Sequence, residues 1–490
     1  FNQEPTEVGD WMNREFKRLS IFVLAMFMAL FVSSSYIQVI APPQLENDPR
    51  NVRTLYDSMS AKRGSIVVDG TPIVNSVEVD AWYSYLRTYL QGKLYAPITG
   101  YYSFNQGVTG IESTHNQLLT GVSDSQFFEQ LWSVITGTPH TGASVELTID
   151  PEIQQAAYDA LGNRKGAIVV MDPTTGNILA MVSKPSYDPN LLANPNTSEA
   201  IEAYEELLAN KNKPLLNRAI GGDLYHPGSV FKLLMLAAAL ENGYTTQTQM
   251  DNPKSLKLPG SNVTVTNANN GVCTGKETVS LFDALRISCN IPFAELGMEL
   301  GSDAITEMAE KFGFGQELNI PLSVTPSIYP EGMDAAQIAM ASFGQYDVRV
   351  TPIQMAMISA AIANNGTLMK PQLIDTVLSP DLKVLQDPQP EVYSVPMSES
   401  TAAQIRSAMI AAVKNGVAGS AQISGIDVAG KTGTAENGKG QPYTLWFTGF
   451  APAENPKAVV AVVVEDTGGG TSSGIAAPIG KLVMEAVINK

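Results

Sequence analysis

Residues 226–243 read HPGSVFKLLMLAAALENG, and this stretch decides how the chain is interpreted. Pro227-Gly228 marks a turn, and Ser229 stands where a helix opens. Most of the following positions are apolar on every side, the pattern of a helix buried all round. Lys232 comes one turn after Ser229, so the two side chains share a helical face. Burial disfavours the ammonium form, so the pKa of such a lysine falls toward neutrality. A partly neutral amine can take the proton of a serine hydroxyl. The same pair also reads as an N-cap serine and a snorkelling lysine. S-x-x-K occurs once in the 490 residues, on a helix expected to be buried.

Two further short patterns follow. Ser288-Cys289-Asn290 comes after the periodic run VSLFDALRI and before Pro292, which puts it on a loop between helices. A hydroxyl and an amide there can face one cleft, or can serve as ordinary capping groups. Ser103-Phe104-Asn105 matches the same S-x-N pattern, which is weak alone. Lys431-Thr432-Gly433-Thr434 reads as a strand pairing with WFTGF, so Lys431 and Gly433 share one face and Thr432 and Thr434 the other. A cation and hydroxyls at a sheet edge suit a carboxylate, and glycine admits a close substrate backbone. An exposed hairpin strand is the plain alternative.

Composition removes several function classes. The chain has 31 Lys+Arg against 48 Asp+Glu, a net charge of −17, which argues against nucleic acid as a partner. At 44% hydrophobic residues it is not disordered. Two cysteines exclude a disulfide-dense scaffold, and the widely spaced His115, His140 and His226 offer no metal-ligand spacing. No metal or cofactor is expected.

Residues 19–40, LSIFVLAMFMALFVSSSYIQVI, carry no charge and are long enough to span a bilayer. Arg14, Lys17 and Arg18 precede them, which predicts a cytoplasmic tail over 1–18 and an extracytoplasmic remainder. No A-x-A site follows, so an uncleaved anchor is expected over a signal peptide, with Met12 as the native start. APPQLENDPRN (41–51) reads as a linker. Residues 41–147 form a non-catalytic pedestal or interaction module, with a hairpin around Asp69-Gly70 and a helix over SDSQFFEQLWSVITG (123–137). At Thr148 the character changes. PEIQQAAYDALG (151–162) predicts a helix with proline in its first turn, followed by strands GAIVVMD and NILAMVS. Helices such as SEAIEAYEELLAN and AAQIAMASF dominate 198–363, strands return at WFTGFAP and AVVAVVVED, and a last helix runs over 478–489. The pattern is α+β, with an antiparallel sheet assembled from both ends of 148–490.

The three patterns in this order, on helix, loop and strand, resemble the set shared by penicillin-binding proteins and class A β-lactamases. SVELTID, AIVVMDPTTGNILAMVSKPSYDPN, Asn217-Arg218-Ala219, YHPGS, TPIQ and WFTGFAP are similar to segments of the penicillin-binding transpeptidase domain, over 144–490. Arg63-Gly64-Ser65-Ile66 resembles the opening of the family's pedestal. The segment between anchor and transpeptidase is too short for a glycosyltransferase, so the chain resembles monofunctional class B members. Its short pedestal and the cysteine within S-x-N are similar to the actinobacterial penicillin-binding protein A group. Tyr346 departs from the pattern, since a glycine is expected after Gly344-Gln345.

The resemblance implies a peptidoglycan D,D-transpeptidase and target of β-lactams. Ser229 is then the nucleophile, Lys232 the base, and Ser288 a proton relay beside Lys431. Asn290 would bind the peptide amide, Thr432 and Thr434 the terminal carboxylate across Gly433, and the N–H groups of Ser229 and Thr434 the oxyanion. Stem peptides are the implied substrate, and a lipid-linked glycan polymerase the implied protein partner. A carboxypeptidase or β-lactamase on the same fold, and a catalytically silent division or elongation scaffold, are the rival readings. No acidic residue lies in the three patterns; Glu436 and Glu295 come nearest, and Glu295 is expected at the surface or as a cap. Cys273 and Cys289 flank VSLFDALRI outside the membrane, and a disulfide between them requires Cα atoms within ~7 Å.

Overall fold

The computed structural model describes residues 7–37, 62–80, 84–123, 126, 141–268 and 270–490, with side chains from residue 16 onward. The expected linker at 41–51, and the helix expected over 123–137 apart from Ser123 and Gln126, lie outside the described residues. The chain divides into two units, 1–61 with 80–84 and 62–79 with 85–490.

In the first unit helix α1 spans Glu7–Ser35, and Phe16–Ser35 is long and apolar enough to cross a membrane. The anchor expected over 19–40 overlaps this helix, whose α-helical part ends at Ser35. Its large apolar side chains are exposed, Phe27 and Phe31 among them.

The second unit is built on a five-stranded antiparallel sheet. Strands β5 (Lys165–Met171) and β6 (Ile178–Lys184) come from its early part. Strands β9 (Ala429–Ala435), β10 (Tyr443–Ala451) and β11 (Ala458–Asp466) come from its end, in the order β9-β10-β11-β5-β6. Near-continuous valine and alanine in β5 and β11 mark strands buried on both faces. Helices α2 (Pro151–Leu161) and α8 (Ala476–Ile488) cover one face. Asp150 caps α2 by accepting from Glu152 N at 3.0 Å and Ile153 N at 3.1 Å, and Pro151 fills its first turn. The other face packs on α6 (Pro352–Ala363), whose residues are all buried. Its Ser359 hydroxyl is satisfied by Thr448 on β10 at 2.6 Å. Helix α3 (Lys232–Glu241) is buried along Lys232–Leu240 and packs against α5 (Ile291–Lys311) and α7 (Glu399–Asn415).

A second sheet of six strands crosses the boundary expected at 147/148. Its order is β8-β7-β4-β1-β2-β3, with β1 Ile66–Val68, β2 Thr71–Glu78, β3 Tyr85–Tyr89, β4 Ser144–Leu147, β7 Ile374–Leu378 and β8 Val384–Gln386. Strand β4 pairs in parallel with β1 and antiparallel with β7, so strands from 374–386 extend the sheet of the expected pedestal. The hairpin at Asp69-Gly70 is present, both residues in the left-handed region. Arg63 and Arg87 grip the buried Glu112 at 2.7 and 2.6 Å. Burial alone would raise the Glu112 pKa, and the two guanidiniums override it and hold the carboxyl below its ordinary value. Removing one partner of such a buried pair costs about 3–5 kcal/mol.

Candidate active site

Ser229 lies in a short 3-10 turn, Gly228–Phe231, immediately before α3. The α-helix proper starts at Lys232 rather than at the serine. Three contacts hold this turn. Gly228 N donates to Gly344 O at 2.9 Å, Trp446 Nε1 on β10 donates to His226 O at 2.9 Å, and strand β9 lies alongside. Both glycines have positive φ, 55° at Gly228 and 77° at Gly344. A Cβ on Gly344 would sit 2.1 Å from Gly228 O, and one on Gly228 would sit 2.7 Å from Thr434 O. Tyr346, where glycine was expected, keeps a left-handed backbone with φ 58°. Gly344→Ala is therefore expected to lose ~1–2 kcal/mol from the left-handed backbone alone. An ångström-scale shift of the serine should also slow acylation by about 10²-fold. Thermal unfolding and a penicillin acylation rate check this; an unchanged acylation rate would refute the clamp.

Lys232 Nζ sits 3.0 Å from Ser229 Oγ, 2.9 Å from Ser288 O and 2.8 Å from Asn290 Oδ1. The Asn290 amide is oriented because its Nδ2 donates to Thr266 O at 3.0 Å. Both Ser288 O and Asn290 Oδ1 can only accept, so they take two N–H groups of Lys232. In the neutral amine the remaining lone pair then faces Ser229 Oγ. Burial, and after it the charge of Lys431, holds Lys232 well below its ordinary 10.5. No carboxylate touches either lysine among the hydrogen bonds described for them, so nothing offsets the desolvation.

Ser288 and Asn290 sit between α4 (Leu281–Ile287) and α5. Ser288 ends α4 in the left-handed conformation, φ 67°, where glycine is usual. That backbone points its carbonyl at Lys232 and its hydroxyl at Lys431, whose Nζ donates to it at 2.8 Å. Burial pushes Lys431 down to about 7. Cys289 is bonded to Cys273 with Cα atoms 5.8 Å apart. The bond ties the loop to the 266–273 segment, where Asn267 Oδ1 also accepts from Asn290 N at 2.8 Å and Ile291 N at 3.2 Å.

On the edge strand β9, Lys431 stands opposite Thr448 and Gly433 opposite Trp446, facing α6 and the serine turn. Thr432 stands opposite Phe447, on the face that α8 covers, and Thr434 shares that face. Thr432 is buried and Thr434 is exposed. A Cβ on Gly433 would meet Pro227 O and Val230 N at 2.9 Å, so glycine is required for β9 to lie against the serine turn. The structure thus gathers Ser229, Lys232, Ser288, Asn290 and Lys431 into one hydrogen-bonded set, with Gly433 packed on the serine turn. Glu436 is exposed. Glu295 lies inside α5 and is not its cap. It is half-buried near Asp251 and Glu299, and desolvation with those two charges pushes it up to about 7.

Sequence reasoning missed four supports of this set: Trp446, Gly344, Asn267 and Ser472. Ser472 Oγ lies 2.5 Å from both Gly433 O and Thr434 Oγ1. The stretch TGGGTSSG (467–474) signals only a loop, and nothing in it marks this serine.

The family model described as penicillin binding protein transpeptidase domain matches residues 166–485, and that of the penicillin binding protein A dimerisation domain matches 63–145. The chain is 39% identical over 491 residues to the peptidoglycan D,D-transpeptidase PbpA of Mycolicibacterium smegmatis, covering 98% of this chain and 100% of that protein. The solved structure of penicillin-binding protein A from M. tuberculosis as a ceftriaxone acyl-enzyme superposes with a TM-score of 0.85 at 38% identity, covering 88% of this chain and 100% of that one. Its penicillin G acyl-enzyme gives 0.83 at 39%, with the same coverage. With its Ser-Lys pair, S-x-N loop and K-T-G edge strand on that fold, the chain belongs to the penicillin-binding protein transpeptidase family.

Proposed function

We propose that this chain cross-links peptidoglycan as a serine D,D-transpeptidase and is acylated by β-lactams. The observation that carries the reading is the buried Lys232 Nζ, 3.0 Å from Ser229 Oγ and within 2.9 Å of two acceptors, Ser288 O and Asn290 Oδ1, which leave a neutral amine's lone pair for Ser229. Ser229 Oγ attacks the carbonyl between the two terminal D-alanines while its proton passes to Lys232. The developing oxyanion takes the N–H groups of Ser229 and Thr434, donors worth ~10²–10³ each in rate. Ser288, polarised by Lys431, hands a proton to the departing D-alanine amine. Asn290 holds the donor peptide's amide, and Thr432 and Thr434 hold its carboxylate beside Gly433. An amine of a neighbouring stem peptide then attacks the ester and gives its proton to Ser288, Ser229 recovers its own from Lys232, and the cross-link forms. Residues 1–18 would lie in the cytoplasm, 19–40 in the membrane, 41–147 would form the pedestal and 148–490 the extracytoplasmic catalytic domain. A lipid-linked glycan polymerase is the proposed partner, by analogy with the family.

The hydrolase reading needs a base to activate water at the ester. The hydrogen bonds described for the Ser229 and Lys232 side chains run to no carboxylate, which favours transfer to an amine. A single penicillin pulse followed by intact-protein mass over time tests this. The adduct is expected to outlast one β-lactamase turnover by far. Loss within seconds with steady drug hydrolysis would replace the transpeptidase with a hydrolase.

A further inference from the structure

Ser472 sits just before α8, is 4% exposed, and stands on no motif. Its hydroxyl touches two oxygens of β9, Gly433 O and Thr434 Oγ1, each at 2.5 Å. A carbonyl oxygen only accepts, so the single Ser472 proton goes to Gly433 O. Ser472 Oγ then accepts, and the proton it receives is that of Thr434. Thr434 is exposed at the strand edge, so in the free protein it offers the ligand lone pairs and no proton. A carboxylate needs the opposite.

The geometry points to Ser472 as a positioning residue for recognition of the ligand's carboxylate, acting through Thr434 as a two-state hydroxyl relay. With the site empty, protons run from Thr434 to Ser472 to Gly433 O. When a carboxylate arrives, Thr434 turns its proton outward and Ser472 turns its own onto Thr434 Oγ1. No bond to carbon is made or broken and no proton leaves the pair; two hydroxyls rotate, and Gly433 O gives up the hydrogen bond from Ser472. The outward donation is then strengthened by the second hydroxyl behind it, as chained hydrogen bonds polarise one another. The loop holding Ser472 is fixed by its own bonds. Gly470 N donates to Asp466 Oδ2 at 2.6 Å, and Ala477 N to Ser472 O at 2.9 Å. The relay rests on the proposed role of Thr434, and adds a residue that this role alone does not require.

The test compares acylation by penicillin G with acylation by its methyl ester, which lacks the carboxylate, in wild type, Ser472→Ala and Ser472→Thr. In Ser472→Ala the ratio of the two second-order rates should fall about tenfold, the scale of one charge-assisted hydrogen bond. Ser472→Thr, which keeps the hydroxyl, should restore it. Thr434→Val combined with Ser472→Ala should lose no more than Thr434→Val alone, because one acts through the other. An equal fall in both rates, an unchanged ratio, or additive losses in the double variant would overturn the relay. Failure of wild type to be acylated by penicillin G at all would instead overturn the transpeptidase reading.

Discussion

Ser229→Ala is expected to abolish covalent labelling by a fluorescent penicillin while leaving the fold intact. The alanine has no oxygen to form the ester, and the two neighbouring hydroxyls are engaged elsewhere. The Ser288 hydroxyl is engaged by Lys431 at 2.8 Å, and the Thr434 hydroxyl by Ser472. The fold should survive because the change removes one hydrogen bond from a half-buried serine, a loss of about 0.5–1.5 kcal/mol. Lys232 keeps its bonds to Ser288 O and Asn290 Oδ1, so the buried amine is not stranded. Intact mass after incubation with excess penicillin should show the unmodified chain, and thermal unfolding should stay within a few degrees of wild type. An adduct forming at the wild-type rate would remove Ser229 from the mechanism.

The parts of this site that the sequence makes legible are those whose chemistry is tied to residue identity. A lysine on an otherwise apolar helix has to be paired or deprotonated, and Lys232 announces itself for that reason. Strands β5, β6, β10 and β11 are legible too, because long apolar runs between turn residues leave few alternatives. What escapes is whatever depends on a distant partner. Strand β7 carries Asp375 and is followed by Ser379-Pro380, so its own pattern is broken, and it is a strand because β4 offers it an edge. The short pairs within 249–280 have three residues each, too few for any period to show. Gly344 needs its glycine for its left-handed backbone and because Gly228 approaches from 116 positions earlier, and Ser472 matters because the end of β9 lies against its loop. At the boundary expected at 147/148, β4 ends inside a continuous sheet. Composition reports the chain's local character, while a sheet is assembled through space.

Lys232→Ala should slow acylation by ~10²–10⁴, the usual contribution of a general base. The sharper test is Lys232→Arg. A guanidinium keeps the positive charge but does not release its proton in proteins. If Lys232 serves only to stabilise charge, the arginine variant retains activity; if it takes the proton from Ser229, arginine fails as alanine does, and failure is the expected result. The pH profile follows from the same shift. The base works when neutral, and burial lowers the Lys232 pKa well below 10.5, so acylation should climb with pH and level off well before the ordinary lysine range. Stability carries the matching sign. An unfolded chain holds this proton up to about 10.5, whereas the folded chain releases it at lower pH. Between those two values the unfolded state binds more protons, so wild-type stability rises with pH there, and falls as pH drops back through the folded value. Lys232→Met, which fills the same slot without titrating, should be acylated as slowly as the alanine variant and should lack Lys232's contribution to that rise. Unchanged acylation in Lys232→Ala would pass the role of base to Lys431, whose amine titrates near 7 and reaches Ser288 rather than Ser229.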